Sequence, residues 1–155
     1  MKKFLLLAGI SVLTIQSCKD DDIQYWDLEI LSGTWKYDKT ETVSGKDGKT
    51  IIVTNPAVDC EVKNTVTYTT DDKKARVQQF QGTAPSNCTV LIDETVEFNY
   101  DADTRTITYH VGGVQIETYN VIVLSKDMLE LRPLTPVADA NDDNIPDIEY
   151  IYFKR

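Results

Sequence analysis

The feature that most constrains the fold of this chain is a succession of short β-rich segments, separated by turn residues, across residues 33–154. Residues 64–70, for example, alternate with Val66 and Tyr68 on one face. This two-residue period is that of a strand with one buried face. Because long helical periods are few, the pattern predicts an all-β fold.

Turn residues divide this region into about eight to ten strands that follow one another as hairpins. Gly112-Gly113 is the sharpest hairpin signal, because glycine supplies positive φ angles at no steric cost. Asn55-Pro56 is expected to end the second strand, and a kink near Glu94 would divide a long segment in two. An antiparallel meander of this kind closes most economically into a barrel, which removes exposed strand edges. The candidate strands are residues 33–43, 50–54, 64–70, 74–82, 89–100, 105–111, 114–124, 128–134 and 148–154.

A short helical or 3₁₀ segment is expected before the barrel, over residues 24–31, with Tyr25, Leu28 and Leu31 on one side. An eight-stranded barrel is just wide enough to be filled by side chains or to hold one small ligand. The pattern leaves both outcomes open. The side chains expected to point inward are Val66, Tyr68, Val77, Phe80, Ile107, Tyr109, Ile116, Leu129 and Leu131.

The N-terminus has the organisation of a targeting segment. Lys2 and Lys3 precede an apolar run, residues 4–15, that is too short to cross a bilayer, which needs about 20 apolar residues. This arrangement, ending at Cys18, resembles a bacterial lipoprotein signal peptide, in which the cysteine receives covalent lipid and becomes the mature N-terminus. The resemblance implies a signal peptide at residues 1–17. The alternative is an ordinary secretory signal followed by a chance cysteine.

Lys19 and three aspartates, Asp20 to Asp22, follow the cysteine. This cluster resembles the export signal of Bacteroidota surface lipoproteins, although a charge run is also typical of a solvated tether. We therefore expect a lipidated cysteine and acidic tether over residues 18–27 and a barrel domain over residues 28–155. The implied location is the outer membrane, on the cell surface or otherwise facing the periplasm.

Charge narrows the range of partners. Removing the leader with Lys2 and Lys3 leaves 14 basic residues against 25 acidic ones, a formal charge of −11. Such a surface repels nucleic acid and anionic lipid headgroups, and it favours cations and neutral ligands. The sequence therefore argues against nucleic-acid binding and leaves the lipid anchor as the route to the membrane.

Cys60 and Cys88 are the two cysteines that remain once Cys18 carries lipid. Because the export compartment implied by the signal peptide permits disulfides, we expect these two to pair. Closing a loop of this length stabilises a fold by roughly 3–4 kcal/mol in the chain-entropy description. The alternative is two free, buried thiols.

Residues 31–36 read LSGTWK, a Gly-x-Trp motif at the head of the first strand. The motif resembles the start of lipocalins and other calycins. Together with the anchor, the cysteines and the aromatic last strand, it resembles the lipocalin-like lipoproteins of Bacteroidota. The resemblance implies an antiparallel up-and-down barrel that begins at Gly33 and is plugged at its closed end by Trp35. A basic residue packs across that indole: Arg155, or else Arg132.

The strongest chemical motif is DANDDNIPD at residues 139–147. Its alternating oxygen ligands resemble the calcium loops of thrombospondin type 3 and dockerin-like repeats. It departs from that pattern at Asn144, where glycine is usual, and at Tyr150, where glutamate is usual. The motif predicts bound Ca²⁺, and the alternative is an Asx-rich loop capped by its own side chains. The expected ligands are Asp139, Asn141, Asp143, the carbonyl of Ile145, and Asp147.

Signals for catalysis are weak. The single histidine, His110, is expected on the strand face opposite Tyr109, and no nucleophile elbow, His/Cys metal cluster or phosphate loop occurs in the sequence. The sequence therefore predicts a non-enzymatic binding module for a small apolar ligand, a glycan or an envelope partner protein. The alternatives are a structural or interaction lipoprotein with a filled barrel, and a hydrolase that uses carboxylates at the barrel mouth. An apolar cavity above roughly 300 Å³ would favour ligand binding.

Overall fold

The computed structural model describes residues 20–83 and 86–155, so the expected signal peptide and Cys18 lie outside the described residues. No helix within these two ranges is long and apolar enough to span a membrane. The elements are α1 (Asp20–Leu31), β1 (Gly33–Val43), β2 (Ile51–Pro56), a 3₁₀ turn (Glu61–Lys63), β3 (Thr65–Thr69), β4 (Lys74–Gln81), β5 (Thr89–Asp101), β6 (Thr106–Val111), β7 (Val114–Leu124), β8 (Met128–Pro133) and β9 (Ile148–Lys154).

Eight of the strands form a closed antiparallel barrel. The chain runs up and down from β3 to β9, and β9 then pairs with β1 along residues 36–43. The opposite edge of β1 is shared, because β3 pairs with residues 33–36 and β2 pairs with residues 39–43. The expected all-β up-and-down barrel is confirmed, with β2 as one extra strand beside it.

The first half of β1 forms the closed end of the barrel. Trp35 is fully buried, and its indole Nε1 donates a hydrogen bond to the carbonyl of Leu31 at 2.8 Å. Leu31, the last residue of α1, is also fully buried, and Tyr100 donates from its hydroxyl to Asp27 on the same helix. Helix α1 and the indole together therefore close this end.

Arg155 lies across the indole, as the lipocalin resemblance implies, while Arg132 pairs with Asn120 in β7. The guanidinium carbon is 4.3 Å from the centre of the Trp35 ring, and the guanidinium donates to the carbonyls of Ser32, at 2.6 Å, and Ile30. The φ angle of Gly33 is +111°, a backbone conformation that side-chain-bearing residues rarely adopt. This glycine allows the chain to turn from the helix into β1 beneath the arginine.

The core fills the barrel between this end and its middle. Tyr68 and Tyr109 share a hydrogen bond between their hydroxyls, and the ring of Tyr68 packs edge-on against that of Phe98 at 5.1 Å. Four core side chains lie at the upper limit of this packing and also line the cavity above it. They are Val66, Val96, Tyr109 and Leu131.

The element boundaries differ from expectation at three places. Helix α1 begins at Asp20 instead of residue 24, and a run of aspartates is favourable there because of the partial positive charge of a helix N-terminus. The expected break at Asn55-Pro56 is wrong: β2 includes both residues, and Pro56 is tolerated because it is the last residue of a strand paired on one side. Strand β5 continues through Glu94 without interruption.

Most of the expected inward side chains do face the interior. Six of them are buried: Val66, Tyr68, Ile107, Tyr109, Leu129 and Leu131. Val77 and Ile116 line the cavity above the core. Phe80 is not part of that lining. Phe80 lies three residues after Val77, so regular alternation turns these two side chains to opposite faces of β4, and Gln79, which is in phase with Val77, lines the cavity.

Candidate functional site

The candidate site is a cavity of about 520 Å³ in the half of the barrel away from Trp35. It begins at the floor formed by Val66, Val96, Tyr109 and Leu131 and rises toward the 3₁₀ turn. Its wall is mainly aliphatic and aromatic. The apolar wall residues above the floor are Tyr37, Val77, Ile92, Ile116, Tyr119, Ile151 and Phe153.

The aromatic rings of this wall form two perpendicular pairs. Tyr109 and Tyr119 are edge-to-face with ring centres 5.8 Å apart, and Tyr37 and Phe153 are edge-to-face with centres 6.1 Å apart. The second pair follows directly from the sheet register, since Tyr37 lies opposite Phe153 in the β1–β9 ladder. Edge-to-face packing satisfies the ring quadrupoles and fixes the ring orientations.

Three carboxylates also line the cavity: Glu61, Glu94 and Glu117. All three are exposed, so they lie toward the mouth and not on the floor. Glu94 reaches the interior because it pairs with the inward-facing Val77 and alternates in phase with Val96.

Sequence reasoning missed Glu94 as a cavity residue and left open whether the strand bends near it. The signal was present in the printed sequence. Residues 92, 94, 96, 98 and 100 share one phase of a strand, and four of the five are apolar or aromatic. A glutamate in that phase faces the interior if the strand continues.

The tyrosines of the wall respond to this environment. Burial raises the pKa of Tyr119 above its usual value, and the Glu117 carboxylate raises it further. Burial also raises the pKa of Tyr37, with a further contribution from the negative charge of Glu61. Both phenols are therefore neutral hydroxyls near neutral pH and can donate a hydrogen bond.

The expected disulfide between Cys60 and Cys88 is confirmed and braces one side of the mouth. Cys60 directly precedes the 3₁₀ turn that carries Glu61, and Cys88 directly precedes β5. The turn is also held by Asn64, whose carbonyl accepts from the amide of Tyr37 at 2.9 Å and whose side-chain oxygen accepts from the amide of Phe80 at 2.8 Å. The segment thus bridges β1 and β4 and positions Glu61 at the cavity.

The expected calcium loop connects β8 to β9, and its side chains bond to nearby backbone. Asp139 accepts from the amides of Asn141 and Asp143 at 3.1 and 3.3 Å, and from that of Asn144 at 2.6 Å. Asp143 accepts in turn from the amide of Ile145 at 3.0 Å. These are the contacts of an Asx-capped loop.

Asp147, the last of the expected ligands, is fully buried. Its two oxygens accept from the amides of Gly45 at 3.0 Å and Ala140 at 2.7 Å. Across residues 20–83 and 86–155, no three His, Cys, Asp or Glu side chains are grouped as a metal site. The ligand set thus does not converge in this arrangement, and calcium binding stays a prediction.

Exposed apolar side chains surround the mouth. Val111, Val114 and Ile116, around the β6–β7 hairpin, are each more than half exposed, as are Val90 and Leu91 near the start of β5. Both groups lie at the strand ends farthest from Trp35. The entrance to the cavity therefore presents apolar surface to solvent.

The single histidine lies outside the cavity. His110 is half-buried and is not among the cavity-lining residues. A carboxyl with a raised pKa, as an acid catalyst requires, is found at Glu130, where burial is the main cause and Glu41 contributes. Glu130 lies between Leu129 and Leu131 and so faces away from the cavity. The arrangement supports binding more directly than proton transfer.

A closed eight-stranded barrel with an internal cavity is the architecture of small β-barrel proteins that can hold a single small molecule. The family model of the lipocalin-like domain matches residues 31–131, more than half of the chain. This chain therefore belongs to the lipocalin-like domain family, whose fold is typical of proteins that bind small ligands.

Two further comparisons add little to this assignment. A solved structure of a deswapped triple mutant of bovine odorant binding protein matches with 10% sequence identity and a TM-score of 0.38. The match covers 81% of this chain and 74% of that chain. No curated protein matches the chain in sequence.

Proposed function

We propose that this protein is a lipid-anchored binding module that holds a small, mainly apolar molecule in the upper half of its barrel. The observation that carries the proposal is the cavity of about 520 Å³. This volume lies within the roughly 300–1,000 Å³ of small-molecule sites. It supports ligand binding over a filled structural barrel.

The composition of the wall narrows the ligand class. A sugar presents hydroxyls around its whole surface, and each needs a partner when water is removed. The floor offers aliphatic side chains and the hydroxyl of Tyr109, which is already paired with Tyr68. The floor therefore favours an apolar body over a glycan, and the exposed apolar rim gives such a molecule a route of entry.

Titration with N-phenyl-1-naphthylamine, a neutral apolar fluorophore, tests the proposal. We expect one molecule to bind per chain, with enhanced and blue-shifted emission. Val77→Trp places an indole in the cavity and should abolish binding, whereas Thr95→Trp places the same side chain on the outer face of β5 and should not. Ile92→Trp blocks a second wall position if the first variant does not fold. Equal binding by folded wall and outer-face variants would refute the proposal.

The anchor is a separate part of the proposal, supported by the sequence of residues 1–18. Cys18→Ser should move the protein from the detergent phase to the aqueous phase in Triton X-114 partitioning. Replacing Asp20, Asp21 and Asp22 with alanine should protect the protein from protease added to whole cells. The matched control replaces Asp71 and Asp72, in the exposed turn between β3 and β4. Unchanged protease sensitivity in the first variant would place the export information elsewhere.

A further inference from the structure

We infer that the cavity selects organic cations, with an apolar body seated on the floor and an amine or ammonium group at the mouth. The inference rests on the proposed function and adds the charge of the ligand. It starts from the polar part of the lining, which contains Glu61, Glu94 and Glu117. Among the described residues that line the cavity, none is lysine, arginine or histidine.

The position of the carboxylates fits a ligand with two distinct ends. The buried floor is mainly apolar, whereas the three glutamates that line the cavity are exposed to solvent. A molecule with its apolar part on the floor would bring its head group to the level of these carboxylates. An anionic head group, such as that of a fatty acid, would meet like charge there without a compensating cation in the lining.

Basic side chains near the barrel wall are engaged outside the cavity. Lys39 lies on the other face of β1 from the cavity-lining Thr40. Its ammonium group pairs with Glu41 at 2.5 Å and is 4.5 Å from the ring centre of Tyr152. Arg155 is at the closed end, over Trp35. The cavity lining itself therefore carries three carboxylates and, among the described residues, no basic side chain.

The aromatic wall supplies a second, independent attraction for a cation. Tyr37, Tyr109, Tyr119 and Phe153 all line the cavity, and their perpendicular pairing turns ring faces in different directions. Aromatic faces carry negative quadrupole density and attract ammonium groups within about 6 Å. Carboxylates and ring faces around one apolar space are thus complementary to an alkyl- or aryl-ammonium ion.

Calorimetric titration with three ten-carbon probes tests this selectivity. Decyltrimethylammonium, decanol and decanoate share a chain and differ in head-group charge. At low ionic strength we expect the cation to bind at least about tenfold more tightly than decanoate, with decanol between them. Decanoate or decanol binding as tightly as the cation would overturn the inference and leave the proposed function standing. Failure of all three probes to bind would overturn both.

Charge-neutralising variants locate the effect. Glu94→Gln and Glu117→Gln should each weaken decyltrimethylammonium binding by about two- to fivefold, the range for exposed, screened charges. Their affinity for decanol should change less than their affinity for the cation, because glutamine has the same size and keeps a hydrogen-bond acceptor. Glu97→Gln removes the same charge from the outward face of β5 and should leave the affinity for the cation within about twofold.

The control also separates a local effect from one of net charge. Equal weakening by Glu97→Gln and Glu94→Gln would assign the selectivity to the acidity of the whole protein and overturn the site. Loss of decanol binding in Glu94→Gln would indicate a change of cavity shape and would equally count against a charge effect. Matching thermal melts for the variants confirm that the folded proteins are compared.

Discussion

Removal of the Cys60–Cys88 disulfide tests how the open end of the barrel is stabilised. The two cysteines are 28 residues apart in sequence and their Cα atoms are 5.5 Å apart. For a closed loop of about 28 residues, the chain-entropy relation gives close to 12 cal/mol/K, or about 3.6 kcal/mol at 25 °C. Against a total stability of about 5–15 kcal/mol for a domain, this is a large fraction.

The double variant Cys60→Ala/Cys88→Ala is the perturbation, and urea unfolding followed by circular dichroism is the assay. We expect the free energy of unfolding to fall by about 3–4 kcal/mol and the denaturant slope to rise, because the unfolded chain becomes less compact without the bond. The wild-type protein measured with and without reductant gives the same comparison without mutation.

The outcome that contradicts this reasoning is a loss below about 1 kcal/mol with an unchanged slope. It would mean that the unfolded chain already keeps residues 60–88 close together, so that the bond removes little entropy. A loss well above the entropic value would point to native packing instead. Cys60 is almost fully buried and packs closely against Gly82. The φ angle of Gly82 is +135°, and a Cβ on this glycine would lie about 3 Å from Cys60 Sγ and from Asn87 O.

Three further predictions follow from single contacts. Arg155→Ala should lower the free energy of unfolding by about 1–3 kcal/mol in denaturant titrations, because the stacked, double hydrogen-bonded guanidinium is lost, and Arg155→Lys should recover only part of it. An undiminished stability would show that Trp35 closes the barrel unaided. Gly45→Ala should cost about 1–3 kcal/mol in the same assay, since a Cβ at Gly45 would lie 2.0 Å from the carbonyl oxygen of Pro146. Lys46→Ala, at the exposed next position where a Cβ is already present, is the comparison. Calcium titration of the whole protein should release heat that Asp143→Ala removes, and a flat wild-type titration would assign residues 139–147 to Asx capping alone.

The barrel was predictable because its signals are local. Alternation in β3 and β6, the Gly112-Gly113 turn and the Gly-x-Trp motif each depend on a few neighbouring residues, and all agree on hairpins in one sheet. When the local patterns and the global fold agree in this way, the fold can be predicted from the sequence. The disulfide was predictable for a different reason, because two cysteines remained once the third was assigned to lipid.

The cavity was less predictable because it depends on register. The pairing registers skip Leu91 in β5 and Ile116 in β7, and these two bulges decide which side chains face inward near the mouth. One-residue shifts reverse the facing of all later residues in a strand, and no local pattern announces them. Volume is a property of several strands at once, so whether the barrel is filled could not be read from any one of them.

The two ends of the barrel are stabilised by different means, and this difference allows the fold to be stable with a cavity inside it. At the closed end, the side chains of Leu31, Trp35 and Ile107 are fully buried, and burial of large apolar side chains contributes roughly 1.5–3 kcal/mol each. The open end lacks such packing around its cavity and is held by point contacts instead: the disulfide on one side and the buried Asp147 carboxylate on another. Point contacts fix the positions of strands without filling the space between them. We expect a site held in this way to keep its shape without a ligand. The free-energy cost of rearranging it when a molecule binds is then small.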